Sequence, residues 1–244
     1  MFRKPFSFLI SLVISFTGGT ALAETWVVAT LDWPPYICSS CPQNGAAADA
    51  IRKVLSKKGI TIEFVFSPWV QAQKNGGKPS YVGYYPAWKE EVLPGFYSSE
   101  ALFTSPVVFL QRKDKPLKWK ELKDLKGKTF AVTQGYGNTE EFNHLVQKKM
   151  IKVMPLLSET ATIEKLVEGL VDGVLIDYRV AQYYLKNNST KYAGVLEINP
   201  KIIETKSLFF SFNEHNKEKI RILNDAAEKI NFSKIVDEYV IRNL

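Results

Sequence analysis

Apolar positions along this chain change period several times, and each change marks an element. Trp26-Val27-Val28-Ala29 is a short continuous apolar run, the pattern of a buried β-strand. Ala47, Ala50, Ile51, Val54 and Leu55 then recur at helical spacing until Gly59 ends the run. Residues 60–66 alternate, with Ile60, Ile62, Phe64 and Phe66 on one face, which predicts a strand. Pro68 is well placed to open a short helix that stops at Gly76-Gly77. Residues 81–85 form an aromatic strand expected to end at Pro86. Strand, helix, strand, helix, strand in this order predicts a parallel α/β sheet.

The middle of the chain reads differently. Residues 106–112 are an extended apolar strand that runs into the charged Lys113-Asp114-Lys115, closed by Pro116. A second βα series follows: a strand at 129–133, a tight loop at Gly135-Tyr136-Gly137, and a helix opened by Asn138-Thr139-Glu140-Glu141 with capping residues and first-turn acids. Residues 151–154 are a strand, Ile163, Leu166, Val167 and Leu170 share a helical face, and strand 171–176 precedes helix 178–186. Residues 207–212 are extended again, and two amphipathic helices, about 216–230 and 233–242, close the chain.

The first strand turns on Asp32-Trp33-Pro34-Pro35-Tyr36, and proline cannot donate to a sheet ladder, so the strand stops there. In open α/β sheets ligands bind beyond the carboxyl ends of the strands. Trp33 and Tyr36, held there by rigid prolines, are therefore candidates for a ligand wall, the alternative being aromatics that only plug a core.

Residues 1–23 read as a processing signal. Arg3 and Lys4 precede a largely apolar run at 6–16, and Ala21-Leu22-Ala23 is a small-x-small cleavage site. The run is short of the roughly 20 residues a membrane span needs. No cysteine stands near the cleavage site, so no lipid anchor is expected, and the expectation is an exported, soluble, periplasmic protein. Cleavage after Ala23 removes two positive charges and no acids, so the formal charge falls from +7 to 7 − 2 = +5. The lysines are spread along the chain, densest at 113–128, which reads as a solvated surface; nucleic acid is not an expected partner.

The two cysteines, Cys38 and Cys41, stand just beyond the proline turn. Export places them in an oxidising compartment, and a local structural disulfide is the expected reading. A thioredoxin-type redox centre, the alternative, would want the pair at a helix N-terminus after a strand, whereas prolines flank it here. The histidines, His144 and His215, stand on a predicted helix and before the last helices, and the chain has no nucleophile motif, metal-ligand cluster or phosphate loop. No catalytic residue, cofactor or metal is expected.

Several short motifs, in order, resemble the family 3 extracytoplasmic solute-binding proteins, the periplasmic amino-acid-binding type of ABC importers. They are Trp33-Pro34-Pro35-Tyr36, Pro68-Trp69, Tyr85-Pro86-Ala87-Trp88-Lys89, Leu125-Lys126-Gly127-Lys128, Gln134-Gly135 and residues 171–177. The resemblance covers nearly all the mature chain. It implies an α/β, two-lobed periplasmic binding protein type II fold, each lobe a sheet flanked by helices, joined by two hinge strands. Lobe 1 is then 24–109 with 208–244, lobe 2 is 113–204, and the hinge lies at 110–112 and 205–207. The implied function is capture of a small polar solute, an amino acid or related amine-bearing compound, by hinge closure for an inner-membrane ABC permease, with a monomer expected. A sensing module for a membrane receptor is the alternative, and a dehydratase-type enzyme on the same fold a further one.

The resemblance also assigns positions. Trp33 and Trp69 are the aromatic pair that sandwiches the ligand, with Tyr36 in the same wall; Pro86, Trp88 and Lys89 belong to the lobe 1 loop. Gly135, Tyr136, Asn138 and Thr139 form the lobe 2 loop, whose backbone N–H groups suit an anion, and Asp177 stands where the family binds a ligand ammonium, or simply caps the next helix. One position departs. The arginine that clamps an α-carboxylate is missing from the segment Lys89-Glu90-Glu91-Val92-Leu93-Pro94. Either Lys89 substitutes as a point charge or the ligand lacks that carboxylate.

Overall fold

A computed structural model of the protein describes residues 24–243; the expected signal at 1–23 and Leu244 lie outside the described residues. The first series is β1 (Glu24–Thr30), α1 (Ala46–Ser56), β2 (Ile60–Phe66), α2 (Trp69–Gly76) and β3 (Gly83–Trp88), followed by the short β4 (Phe96–Ser98) and the long β5 (Phe103–Arg112). The second is β6 (Thr129–Thr133), α3 (Glu140–Gln147), β7 (Lys152–Leu156), α4 (Glu159–Val167), β8 (Gly173–Asp177), α5 (Tyr178–Asn187), the single turn α6 (Ser189–Tyr192) and β9 (Leu196–Ile198). The chain returns along β10 (Glu204–Asn213) and finishes with α7 (Lys219–Ala227) and α8 (Phe232–Asn243). Among the described residues no helix is long and apolar enough to cross a membrane.

The strands run in the order β2-β1-β3-β10-β5-β8-β6-β7, with β4 added to β10 and β9 to β5. β1 lies parallel to β2 and β3, and β6 parallel to β7 and β8, so each βα series builds one lobe. β5 and β10 are antiparallel and connect the two. β10 pairs with β5 from Glu204↔Val107 to Leu208↔Phe103, while β5 pairs with β8 from Val107↔Asp177 to Leu110↔Val174. Val107 is thus where β5 passes from one ladder to the other. Each crossing strand also supplies an aromatic to a lobe core. Phe210 of β10 stacks on Phe212 and Tyr85 (4.2 and 5.6 Å between ring centroids), and Phe109 of β5 stacks on Phe130 (4.6 Å). Burying such rings on both sides of the crossing ties the lobes to the strands that join them.

β3 does not stop at Pro86, as the sequence led us to expect, but runs through it to Trp88. Ala87 and Trp88 pair with Phe209 and Leu208, Tyr84 with Ser211, and the register shifts between. Tyr85 and Pro86 therefore face Phe210 alone, a bulge at which a missing N–H costs no ladder bond. This extension carries Trp88 to the mouth of the cleft. The lysines at 113–128 are exposed, while Leu117, Leu122 and Leu125 from the same stretch are buried.

The turn after β1 is stapled twice. Trp33 N–H donates to Ile37 O (2.7 Å), and Cys38 and Cys41 are joined by a disulfide with Cα atoms 5.3 Å apart. The proline turn and the disulfide together fix the backbone on which Trp33 and Tyr36 stand.

Candidate functional site

Three tryptophans stand at the carboxyl ends of the three parallel strands of the first lobe. Trp33 follows β1, Trp69 opens α2 just after β2, and Trp88 ends β3. With Pro86, Glu91 and Tyr136 of the second lobe they line one pocket, closed down to about 10 Å³, room for about one water. Trp33 stacks on Tyr36 (4.6 Å) and meets Trp88 edge-on (5.9 Å); Trp69 meets Tyr84 edge-on (5.5 Å). On the outer side of Tyr136 a groove of about 570 Å³ opens between the lobes, with Asp32, Ser67 and Trp69 on one side and Thr133, Glu159 and Tyr184 on the other. That volume suits a small solute.

Acids dominate this cleft. Glu91 is buried; its Oε1 accepts from Trp69 Nε1 (3.2 Å) and from the backbone N–H of Gly137 (2.9 Å), and its Oε2 from Trp88 N–H (2.8 Å). Burial pushes its pKa up to about 7 against those three donors, which favour the ionised form. Glu159, the first residue of α4, is 5 % exposed. Burial pushes its pKa up to about 8, opposed by the nearby Thr133 hydroxyl and Trp33 indole. Those two groups lie close enough to favour the carboxylate but not at hydrogen-bonding geometry, and Glu159 Oε2, Thr133 Oγ1 and Trp33 Nε1 have no protein partner. Close behind this wall, on the side of Trp88, lies Lys206 of β10. Its Nζ sits over the Trp88 ring (4.6 Å), donates to Asn138 O (3.0 Å) and pairs with Glu90, and burial pulls its pKa down to about 8.

Of the residues singled out in the sequence, Trp33, Trp69, Pro86, Trp88 and Tyr136 come together at the pocket. Gly135 closes on its rim in the left-handed region (φ +83°), where a Cβ would stand 2.6 Å from Val70 Cγ2. Tyr36 lies behind Trp33, and its hydroxyl donates to Asp177 Oδ2 (3.1 Å). Asp177 also accepts from Ser105 Oγ (2.5 Å) on Oδ2 and from the N–H groups of Arg179 (2.7 Å) and Val180 (2.9 Å) on Oδ1. It caps α5 with all four donors internal, and burial pushes its pKa up to about 6. Thr139 caps α3 by accepting from Phe142 N–H (3.3 Å), and Asn138 offers its carbonyl to Lys206. Lys89 lies apart from the pocket: its Nζ donates to Ser98 Oγ (3.1 Å) and sits over the Phe209 ring (5.4 Å). Among the described residues no group of three acids, histidines or cysteines could hold a metal.

Glu91 and Glu159 escaped the reading of the sequence. Glu91 stands in a Lys-Glu-Glu run that looks solvated, and Glu159 after Ser158 looks like an ordinary first-turn acid. The available signal was position, since Glu159 follows the carboxyl end of β7, where the cleft of such a sheet lies.

No family model matches the sequence, and no curated protein matches it. Solved structures do match. The GluR0 ligand-binding core in complex with L-glutamate is 21 % identical over 93 % of this chain and 100 % of that one, with a TM-score of 0.73. AbpA, an amino acid ABC transporter substrate-binding protein from Streptococcus pneumoniae bound to L-arginine, is 15 % identical over 90 % and 96 %, with a TM-score of 0.72. The ancestral amino acid-binding protein AncCDT-1, a precursor of cyclohexadienyl dehydratase, is 17 % identical over 89 % and 96 %, with a TM-score of 0.70. At such identities the likeness is one of fold, and the fold of this chain is the two-lobed type II fold of periplasmic binding proteins.

Proposed function

We propose that this protein is an exported binding protein that captures a small polar solute between its lobes and delivers it to an inner-membrane ABC permease. The observation that carries the reading is the cleft itself. Three tryptophans at strand ends of one lobe face Tyr136 and Glu159 of the other, and buried polar atoms there lack protein partners. Proteins of like fold that bind L-glutamate or L-arginine support a small, amine-bearing ligand. Export after Ala23 and a monomeric state belong to the same proposal. The lobe boundaries expected from the sequence carry over with one adjustment: because Val107 to Leu110 already pair with β8, we place the hinge of the first crossing strand near 104–107, opposite 204–207 of the second. The likeness to the GluR0 core fits the alternative of a sensing module, and that to AncCDT-1 the more distant one of an enzyme.

A thermal-shift screen of the mature protein against amino acids, amines, organic acids and small sugars tests the reading, since a ligand raises the melting temperature by mass action. Trp33→Ala and Trp69→Ala should each weaken the ligand found by about 1–3 kcal/mol, the range of stacking anchors. Wild-type affinity in both variants by calorimetry would remove the tryptophans from the site, and a screen with no stabilising ligand would remove the capture function.

A further inference from the structure

Building on that capture reading, we propose that the captured solute is an organic amine that carries no carboxylate. Neither the pocket nor the groove has a lysine, arginine or histidine in its described lining; their charged residues are Asp32, Glu91 and Glu159. This in a chain of formal charge +7 is a local inversion of sign. The N–H of Gly137, in the loop that opens α3, is a backbone donor from the second lobe suited to an incoming carboxylate. It is taken by the protein's own carboxylate, Glu91, together with Trp88 N–H and Trp69 Nε1. A ligand carboxylate would meet Glu91 where its donors should be, and with Glu91 ionised, above about pH 7, two desolvated anions without a cation between them are costly.

An amine meets the opposite situation. The faces of Trp69 and Tyr136 attract a cation. Glu159, 5 % exposed and with Oε2 unpartnered, supplies the counter-charge. Once ionised against the ammonium, Glu159 becomes a stronger acceptor for Trp33 Nε1 and Thr133 Oγ1, the two buried donors beside it that have no partner. One event thus satisfies the ligand cation, the acid and both donors. Lys206 does not compete for the site, because it is held on the far face of Trp88 by Glu90 and Asn138 O.

The test is calorimetric titration of the mature protein with matched pairs that differ by one carboxylate: agmatine and L-arginine, cadaverine and L-lysine, tyramine and L-tyrosine. In at least one pair the amine should bind tenfold or more tighter than its amino acid. Glu159→Gln, which keeps the shape, should weaken the amine tenfold or more, and Glu91→Ala, which frees Gly137 N–H, should shift preference toward the amino acid. An amino acid that binds as tightly as its amine, or an amine indifferent to Glu159→Gln, overturns the ligand class and leaves capture standing. Absence of binding by both members of every pair, with a hit from another class in the thermal screen, likewise overturns the amine alone; no hit anywhere overturns capture as well. Circular dichroism of both variants separates misfolding from lost binding.

Discussion

Glu159, Glu91 and Asp177 hold their protons to about pH 8, 7 and 6 in the folded protein, each chiefly because burial disfavours the charged form. In the unfolded chain Glu159 and Glu91 titrate near 4.5 and Asp177 near 3.8. Between those values and the folded ones the native state binds more protons than the unfolded state, so stability falls as pH rises. Lys206 acts with the other sign: lowered from 10.5 to about 8, it makes stability rise with pH above about 8. Below about pH 10, where the buried Tyr36, Tyr85 and Tyr136 begin to weigh against the fold, these four groups should give the ligand-free protein a local stability minimum near pH 8. For Glu159 alone the decline from about pH 4.5 to 8 amounts to roughly 4 kcal/mol. Urea unfolding of wild type and Glu159→Gln at about pH 5 and about pH 8 measures it. The variant should lose about half of the difference between the two pH values, the rest belonging to Glu91 and Asp177, and an identical slope in both proteins would show that Glu159 is not the buried proton holder.

At the scale of elements, much of this fold could be read from period alone. The α1 positions Ala47, Ala50, Ile51, Val54 and Leu55 are all buried, and β2 buries Ile60 and Ile62 while leaving Thr61 exposed. β4, β9 and α6, of three or four residues, are too short to carry a period. The length of β3 was hidden because a proline ends a strand in isolation, and only the partner strand shows the bulge that tolerates it. The aromatic half of the candidate site was legible for the same reason as the sheet, because strand ends announce themselves. The acidic half was not, since burial of a glutamate is decided by the lobe that closes over it. Gly83 illustrates how close that partner strand lies: a Cβ there would stand 1.9 Å from Ser211 O of β10. Gly83→Ala must push β3 and β10 apart and should destabilise the protein at or above the top of the usual 1–3 kcal/mol for overpacking. Gly194→Ala, with nothing within 4 Å of the new methyl, is the control and should be close to neutral. Equal denaturation midpoints for the two variants would mean that β10 gives way at no cost.

For the molecule as a whole, closure is written in a few polar contacts that span the lobes. Tyr36 OH reaches Asp177 Oδ2 (3.1 Å), Gly137 N–H reaches Glu91 Oε1 (2.9 Å), and Lys206, on a crossing strand, reaches Glu90 of one lobe and Asn138 O of the other (3.0 Å). Lys206 is the one residue among these that belongs to the connection itself and grips both sides, so it acts on the angle between the lobes more than on either lobe. Its ammonium is also poorly solvated, which is why its pKa is pulled down, and its partner Glu90 is 39 % exposed and can be hydrated alone, so removal of Lys206 should cost the fold little or nothing. Lys206→Met keeps the stem against Trp88 and deletes both grips. The closed arrangement should then be less favoured, and a ligand held by closure should leave faster, with its association rate nearly unchanged, because most effects of this kind lie in dissociation. We expect about tenfold weaker binding, equivalent to about 1.4 kcal/mol, together with a larger radius of gyration by small-angle scattering without ligand. The melting temperature should stay at or above that of wild type. Stopped-flow tryptophan fluorescence separates the two rates. Weakened binding that arises from slower association, or a variant as compact and as tightly binding as wild type, would show that Lys206 supports Trp88 locally and has no hold on the hinge.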